Sequence, residues 1–195
     1  MATLTVNPLK VNGTWTEGYT LDQHVESSEF LGYDSYGRGM YDTKRTPIGE
    51  AVYQLKYGSK DPAEAAKIAS TAASFIKHWG IEIDAIVAMP PSKQRATQPV
   101  ELIAELLAQQ LGVQLLDGVS KVKDTPQLKD VSVEQRQKLL EGVHAVDPAK
   151  TKGKKILLLD DLFQSGATMN AVAAILLGAG GASKVYALAL TRTKR

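Results

Sequence analysis

Apolar residues recur along the chain at two spacings, which predict two kinds of element. Over 62–79 and 99–111 they return every three to four positions, as on one face of a helix. Each of these segments begins with a proline and is followed by a glycine, the usual signals for a helix start and a helix end. Shorter apolar stretches predict strands at 83–89, 113–116, 156–159 and 184–191.

Further helices are predicted by local signals. Thr46 and Pro47 begin one that ends at Gly58, and the segments 132–140 and 169–177 give two more. Strands that alternate with helices in this way predict an α/β fold, a Rossmann-like and mostly parallel sheet flanked by helices. Its parallel crossovers are expected to be right-handed.

The first 45 residues have a different pattern. Short alternating stretches at 4–6, 14–16 and 19–21 predict strands, and tyrosines lie among glycines from 32 to 41. We therefore predict two parts, a β-rich N-terminal extension or hood over 1–45 and an α/β core over 46–195. The aromatic side chains of the first part are either a small satellite core or a surface on which a planar base stacks.

Composition excludes several functional classes. A chain of 195 residues and 21.0 kDa is long enough to bury one full core, and a net charge of +2 is too small to indicate nucleic-acid binding. The absence of cysteine excludes disulfides, thiolate catalysis and cysteine-bound zinc. No apolar run approaches 18 residues and no signal peptide is visible, so we expect a cytoplasmic protein without a membrane span.

The segment 156–168 contains the strongest candidate site. Its apolar run is typical of a strand buried on both faces, and Asp160 and Asp161 are predicted to end that strand. A loop rich in serine, glycine and threonine follows, and then a helix begins. Open α/β sheets bind ligands at the carboxyl ends of their strands, which is where this loop is expected to lie.

The loop has the chemistry of a phosphate site. Gly166 allows close approach of the backbone, Ser165 and Thr168 supply hydroxyl donors, and the first amides of the next helix lack intrahelical partners. Asp160 and Asp161 would repel a phosphate beside them, so we expect them to face a hydroxyl-bearing part of the ligand, directly or through Mg²⁺. Neighbouring side chains on a strand diverge, so at most one is expected to point straight into the cleft. The alternative is a purely structural strand end and helix cap.

The segment 156–168 resembles the 5-phosphoribosyl 1-pyrophosphate (PRPP) motif of type I phosphoribosyltransferases. The chain is most similar to the ComF-like branch of that family, and the similarity extends over about 47–193. Three weaker similarities accompany the motif: 85–92 resembles the pyrophosphate strand and loop, 121–136 with its Thr-Pro-Gln resembles a mobile flap, and 55–58 resembles a short Leu-Lys-Tyr stretch.

The resemblance implies a role for each matching position. Asp160 and Asp161 would meet the ribose hydroxyls of PRPP and hold Mg²⁺ indirectly, through the ligand or water. Lys121 and Arg136 would come from the flap and complete the catalytic set. The 5-phosphate would be bound by Gln164, Ser165, Gly166, Ala167 and Thr168. The pyrophosphate would be bound by Pro91, Ser92 and Lys93.

The expected reaction is transfer of the phosphoribosyl group from PRPP to an unidentified nitrogen acceptor, with release of pyrophosphate. Gln164 departs from purine-salvage members of the family, in which an aspartate there is a proposed acid or base; glutamine does not titrate. Two alternatives remain open: a non-catalytic nucleotide sensor or competence and DNA-processing accessory, and a phosphohydrolase. Family members are often dimers, so a homodimer is compatible with the resemblance.

Overall fold

The protein is a three-layer α/β structure, seen in a computed structural model that describes residues 3–59, 61–91, 98–123, 139–140 and 142–193. Its strands are β1 Leu9–Lys10, β2 Glu17–Gln23, β3 Val25–Tyr33, β4 Gly39–Arg45, β5 Ala85–Ala88, β6 Gln114–Leu115, β7 Val119–Lys121, β8 His144–Val146, β9 Lys155–Phe163 and β10 Lys184–Arg192. Its helices are α1 Pro47–Tyr57, α2 Pro62–Trp79, α3 Pro99–Leu111, α4 Pro148–Thr151 and α5 Ala167–Leu177.

The central sheet has the strand order β1-β2-β10-β9-β5-β6. All neighbouring pairs are parallel except β1 with β2. The predicted mostly parallel sheet flanked by helices is therefore confirmed. The remaining described strands form two antiparallel ribbons, β3 with β4 and β7 with β8.

The core has one apolar layer on each face of this sheet. Leu157 and Leu159 of β9 pack with α1, α2 and α3, whereas Ile156 and Leu158 pack with α5. All four are fully buried, as expected for a central strand covered by helices on both sides. The alternation places the side chain of Asp161 toward the layer of α1.

The helix starts agree with their sequence signals. The Thr46 side chain accepts a hydrogen bond from the Gly49 amide, and the Asp61 side chain accepts one from the Ala63 amide. Gly80 ends α2 in a left-handed conformation with φ of 72°. The helix predicted over 132–140 lies outside the described residues except at 139 and 140, which are helical. Among the described helices none is both long enough and apolar enough to cross a membrane.

The first 45 residues form different strands from those expected. Neither 4–6 nor 14–16 is a strand. The predicted strand at 19–21 is part of β2, which pairs in parallel with β10 inside the central sheet. β3 and β4 form a hairpin whose large apolar side chains are exposed. This hairpin leaves the sheet at the carboxyl end of β2 and returns at the start of α1. The division at residue 45 stays a prediction.

Candidate functional site

The carboxyl end of β9 forms one wall of a cleft. β9 does not end at the aspartates as predicted; it continues to Phe163 because β10 offers pairing partners as far as Arg192. On its other side β5 pairs only as far as Leu159. Asp160 is therefore the first residue of β9 without a neighbour on the β5 side, and the sheet opens at this residue.

Asp161 pairs with a residue of α1. Its Oδ2 lies 2.6 Å from Nζ of Lys56, and the two side chains are only 17% and 13% exposed. A charge pair this far from solvent is weakly screened, so removal of either partner leaves an uncompensated charge. Lys56 was not among the predicted site residues, although it lies in the Leu-Lys-Tyr stretch at 55–58.

Asp160 has an unusual charge state. Burial, followed by the negative charge of Asp161, raises its pKa from 3.8 to about 7. Its Oδ1 accepts a hydrogen bond from the Asp161 amide at 2.8 Å, which opposes that shift only in part. The adjacent carboxylates are thus inequivalent: Asp161 has a cation beside it, and Asp160 is costly to ionise until a ligand supplies positive charge or hydroxyl donors.

Asp160→Asn is expected to raise the thermal midpoint of the empty protein at pH 8. Because the pKa of Asp160 is raised on folding, its favourable contribution is present below about pH 4 and is lost as the pH rises through about 7. Asparagine keeps the acceptor for the Asp161 amide but does not ionise. The gain should shrink as the pH is lowered from 8 to 4, as measured by calorimetry.

Glu82→Gln is the matched control for this measurement. Glu82 is 86% exposed and pairs with Lys155 at the opposite end of the sheet, and that contact lowers its pKa. Its substitution should therefore not raise the midpoint at pH 8. An Asp160→Asn protein that is no more stable than wild type at pH 8 would contradict the raised pKa of Asp160.

The loop after β9 has an open helix N-terminus. Gly166 precedes α5 with φ of 73°, a conformation that favours glycine, and has no side chain with which to cap the helix. The Ala167 amide makes only a long hydrogen bond, 3.4 Å, to Ser165 Oγ. Ser165, Ala167 and Thr168 are partly accessible, and Gln164 is exposed. The first amides of an eleven-residue helix are suited to binding an anion. The five predicted phosphate-binding residues therefore lie together, and their role stays a prediction.

Residues from the N-terminal segment support this loop. Phe163 contacts Trp15 edge to face with ring centroids 6.3 Å apart. Asn170 of α5 accepts hydrogen bonds from the amide and hydroxyl of Thr14 at 2.7 and 2.9 Å, and donates one to the Gly166 carbonyl at 3.0 Å. The shape of the phosphate loop thus depends on Thr14 and Trp15, which lie far away in the sequence, so local sequence could not reveal these contacts.

A separate cavity of about 800 Å³ lies on the β5 side of the cleft. Pro91 and Lys121 both line it, so two of the predicted pyrophosphate and flap residues lie in one place. Ser92, Lys93 and Arg136 lie outside the described residues. The described lining consists of Ala88, Pro90, Pro91, Glu101, Glu105, Leu115, Leu116, Asp117, Val119, Ser120, Lys121, Val122 and Lys123.

His24 and Thr191 form the opposite flank of the site. Thr191 Oγ1 donates to the Asp161 carbonyl at 2.9 Å, and His24 Nδ1 lies 3.2 Å from the same hydroxyl. His24 directly follows β2, and its amide donates to the Arg192 carbonyl at 2.7 Å. The three histidines of the chain have no ligand-like spacing, so nothing in the sequence marks His24 as a site residue. Only the pairing of β2 with β10 brings it here.

Several solved structures are similar to this chain over most of its length. Adenine phosphoribosyltransferase from Thermoanaerobacter pseudethanolicus is 18% identical, with 82% of this chain and 92% of that chain covered and a TM-score of 0.46. The Trypanosoma brucei adenine phosphoribosyltransferase, in complex with AMP, pyrophosphate and ribose-5-phosphate, is 14% identical, with coverages of 96% and 75% and a TM-score of 0.49. Glutamine PRPP amidotransferase from B. subtilis is 16% identical, with 80% of this chain and 34% of that chain covered and a TM-score of 0.49.

Sequence comparison gives the family more directly. No curated protein matches the chain. The model of the phosphoribosyl transferase domain matches residues 59–194, which include β5, the aspartate pair, the phosphate loop and β10. This match spans more than half of the sequence, and the chain therefore belongs to the phosphoribosyl transferase domain family.

Proposed function

We propose that the protein transfers the phosphoribosyl group of PRPP to a nitrogen acceptor and releases pyrophosphate. The observation that carries this proposal is the position of two inequivalent carboxylates, Asp160 and Asp161, shortly before a helix N-terminus whose N-cap is a glycine, at the open end of the sheet. The helix amides suit a terminal phosphate, and the carboxylates suit the hydroxyls of the attached sugar. A phosphorylated pentose matches both requirements at once.

The donor set is compatible with Mg²⁺ bound mainly by substrate oxygens. Among the described residues there is no cluster of three or more metal-ligating side chains, so the protein alone would supply at most the two aspartates. Mg²⁺ is commonly held by one or two carboxylates together with substrate phosphates. In this proposal Asp160 and Asp161 contact the ion through the ligand or water, and the ion neutralises charge on the diphosphate.

The protein's own contribution is positioning and charge compensation. The loop 164–168 would hold the 5-phosphate, Asp161 with its Lys56 partner would orient the ribose hydroxyls, and the segments that begin at Pro91 and Lys121 would surround the leaving pyrophosphate. No reactive side chain is required for bond cleavage, since the leaving group departs with the bonding electrons. The acceptor would enter beneath the hairpin of β3 and β4, whose exposed aromatic rings suit a planar base.

The ComF-like branch remains part of this proposal. A non-catalytic sensor of that type would use the same binding residues, and the exposed, non-titrating Gln164 is the feature that favours it. The two readings differ in turnover alone. Binding of PRPP without any release of pyrophosphate would identify the sensor.

A thermal-shift experiment with PRPP and MgCl₂ tests the proposed site. Ligand at a hundred times its dissociation constant should stabilise the fold by about 2.7 kcal/mol, which for a domain of this size means several degrees. MgCl₂ alone should give no such shift, and ribose 5-phosphate should give a smaller one because it lacks the diphosphate. If PRPP with MgCl₂ left the midpoint of a folded protein unchanged, the proposal would be wrong.

A further inference from the structure

Attack by a nitrogen acceptor releases a proton, and the phosphate loop contains no base for it. Gln164 occupies the loop position nearest to the aspartates and does not titrate. We infer that His24 is the general base of the reaction and that its Nε2 takes the proton from the acceptor, an inference that rests on the proposed function. This residue lies outside the matched family region, 59–194, and directly follows β2, whereas the PRPP motif begins on β9.

Hydrogen-bond chemistry determines which ring nitrogen of His24 is available. The Thr191 hydroxyl has a single proton, and the Asp161 carbonyl, 2.9 Å away, can only accept it. Toward His24 Nδ1, at 3.2 Å, the same hydroxyl oxygen must therefore act as the acceptor. Nδ1 consequently carries the ring proton, and in a neutral imidazole this leaves the lone pair on Nε2.

The Nε2 atom is accessible. No described residue forms a hydrogen bond with it, and among the described residues the buried polar side-chain atoms without a partner are Arg45 Nε and His144 Nδ1. The backbone of His24 is held on two sides, by the Arg192 carbonyl and by Gly49, where a Cβ would collide with the His24 carbonyl oxygen. A fixed backbone and a bonded Nδ1 leave Nε2 as the one ring atom free to meet a ligand.

The surroundings keep the ring neutral. Burial lowers the pKa of His24, and the positive charges of Arg45 and Lys56 lower it further. The carboxylates of Asp161 and Glu50 oppose these effects without reversing them. These groups come from the end of β4, from α1 and from β9, the elements around the ring. A neutral imidazole at pH 7 is the form that accepts a proton.

His24 is also correctly placed for an acceptor. It follows β2, two strands from β9 in the order β2-β10-β9, and all three strands are parallel and end on the same side of the sheet. One hydroxyl, that of Thr191, separates the ring from the backbone of Asp161. The hairpin proposed to cover the acceptor begins at the next residue, Val25.

The proposed step balances in atoms and electrons. The bond between C1 of the ribose and the pyrophosphate oxygen breaks, and pyrophosphate leaves with the electron pair. The acceptor nitrogen forms the new bond to C1, and its N–H proton passes to His24 Nε2. The resulting imidazolium, which keeps its Nδ1–H bond to Thr191, then loses a proton to water.

The tautomer is measured first, by ¹⁵N NMR of the imidazole nitrogens. The chain has three histidines, so the His24 signals are assigned by comparison with His24→Gln. We expect Nδ1 protonated, Nε2 unprotonated at pH 7, and Thr191→Val to shift the tautomer balance. A protonated Nε2 in the neutral ring, or an imidazolium at pH 7, would overturn the inference without any assay of activity.

Turnover is measured second, as pyrophosphate release from saturating PRPP and MgCl₂, with adenine or with water as the acceptor. Both nucleophiles must lose a proton, so His24→Gln should slow release about a hundredfold or more. The substitution should also remove from the pH profile the base whose pKa lies below the usual histidine range. PRPP affinity by calorimetry should stay within about twofold, and His78→Gln, at an exposed position of α2, should behave as wild type.

The two hypotheses fail in different ways. A wild-type protein that neither binds PRPP nor releases pyrophosphate refutes the proposed function. A protein that does both, and whose release is equally fast with glutamine at position 24, refutes the role of His24 alone.

Discussion

Replacement of both aspartates, Asp160→Asn with Asp161→Asn, is expected to abolish the stabilisation by PRPP with MgCl₂ and to reduce pyrophosphate release to the level without enzyme. These two side chains are the carboxylates of β9, and asparagine lacks the ionised oxygens that accept strong hydrogen bonds from ribose hydroxyls or from water on Mg²⁺. Differential scanning calorimetry and a pyrophosphate assay measure the two effects.

The expected loss of PRPP affinity follows from the hydrogen bonds that the two carboxylates would make to the ligand. Each bond between a carboxylate and a ligand hydroxyl contributes about 1.5–3 kcal/mol, so loss of two weakens binding by about 3–6 kcal/mol, or roughly a hundredfold to ten-thousandfold. Asp161→Asn also deprives Lys56 of its ion-pair partner, which leaves a largely buried ammonium without its countercharge. We therefore expect Asp161→Asn to be the more damaging of the single substitutions.

Glu82→Gln serves as the control for removal of a single charge. It changes the net charge by the same amount as either single variant, and it acts at the amino end of the sheet through a surface contact with Lys155. Its PRPP affinity should equal that of wild type. Full binding and turnover in the double-asparagine protein would show that the aspartates are structural.

Gly166→Ala is expected to destabilise the fold and to remove the phosphate site together. The residue has φ of 73°, which costs an alanine about 1–2 kcal/mol, and its Cβ would lie 2.7 Å from the Phe163 ring. That ring is 7% exposed and packs on Trp15, so it cannot move away freely. Overpacking should add about 1–3 kcal/mol, measured by urea denaturation.

Gly153 provides a matched control for this substitution. Its φ is 74°, nothing lies within 4 Å of the Cβ that alanine would add, and it precedes β9 at the opposite end of the strand. Gly153→Ala should therefore show the backbone cost alone and leave PRPP affinity unchanged. In a Phe163→Leu background, Gly166→Ala should cost less, because the ring edge is gone. Equal losses in the two alanine variants would contradict the packing argument.

The helices of this protein were predictable because their limits depend on neighbouring residues. Thr46, Asp61 and the prolines after them define starts by hydrogen bonds that close within a few residues, and Gly58, Gly80 and Gly112 follow the ends. Strand limits depend on partners instead. β9 extends through Asp160 and Asp161 because β10 continues beside it, and no pattern within 156–163 contains that information.

The site divides in the same way. The resemblance and the loop chemistry predicted the aspartates and residues 164–168, which lie within nine positions of one another and come together in any fold that ends a strand there. The stretch at 55–58 resembles a family segment, but only the packing of α1 against β9 brings Lys56 to Asp161. His24 and Thr191 carry no local signal of function.

The sequence by itself determined the α/β class, the positions of α1, α2 and α3, and the joined pair of carboxylates and phosphate loop, because each of these depends on contacts between near neighbours in the chain. Only the tertiary structure decided the charge states of the site. Lys56 beside Asp161, the burial of Asp160 and the Thr191 hydroxyl that orients His24 all result from side chains on different strands and helices. The distances between such elements are set by sheet pairing and core packing, and it is these distances that make two adjacent aspartates chemically different.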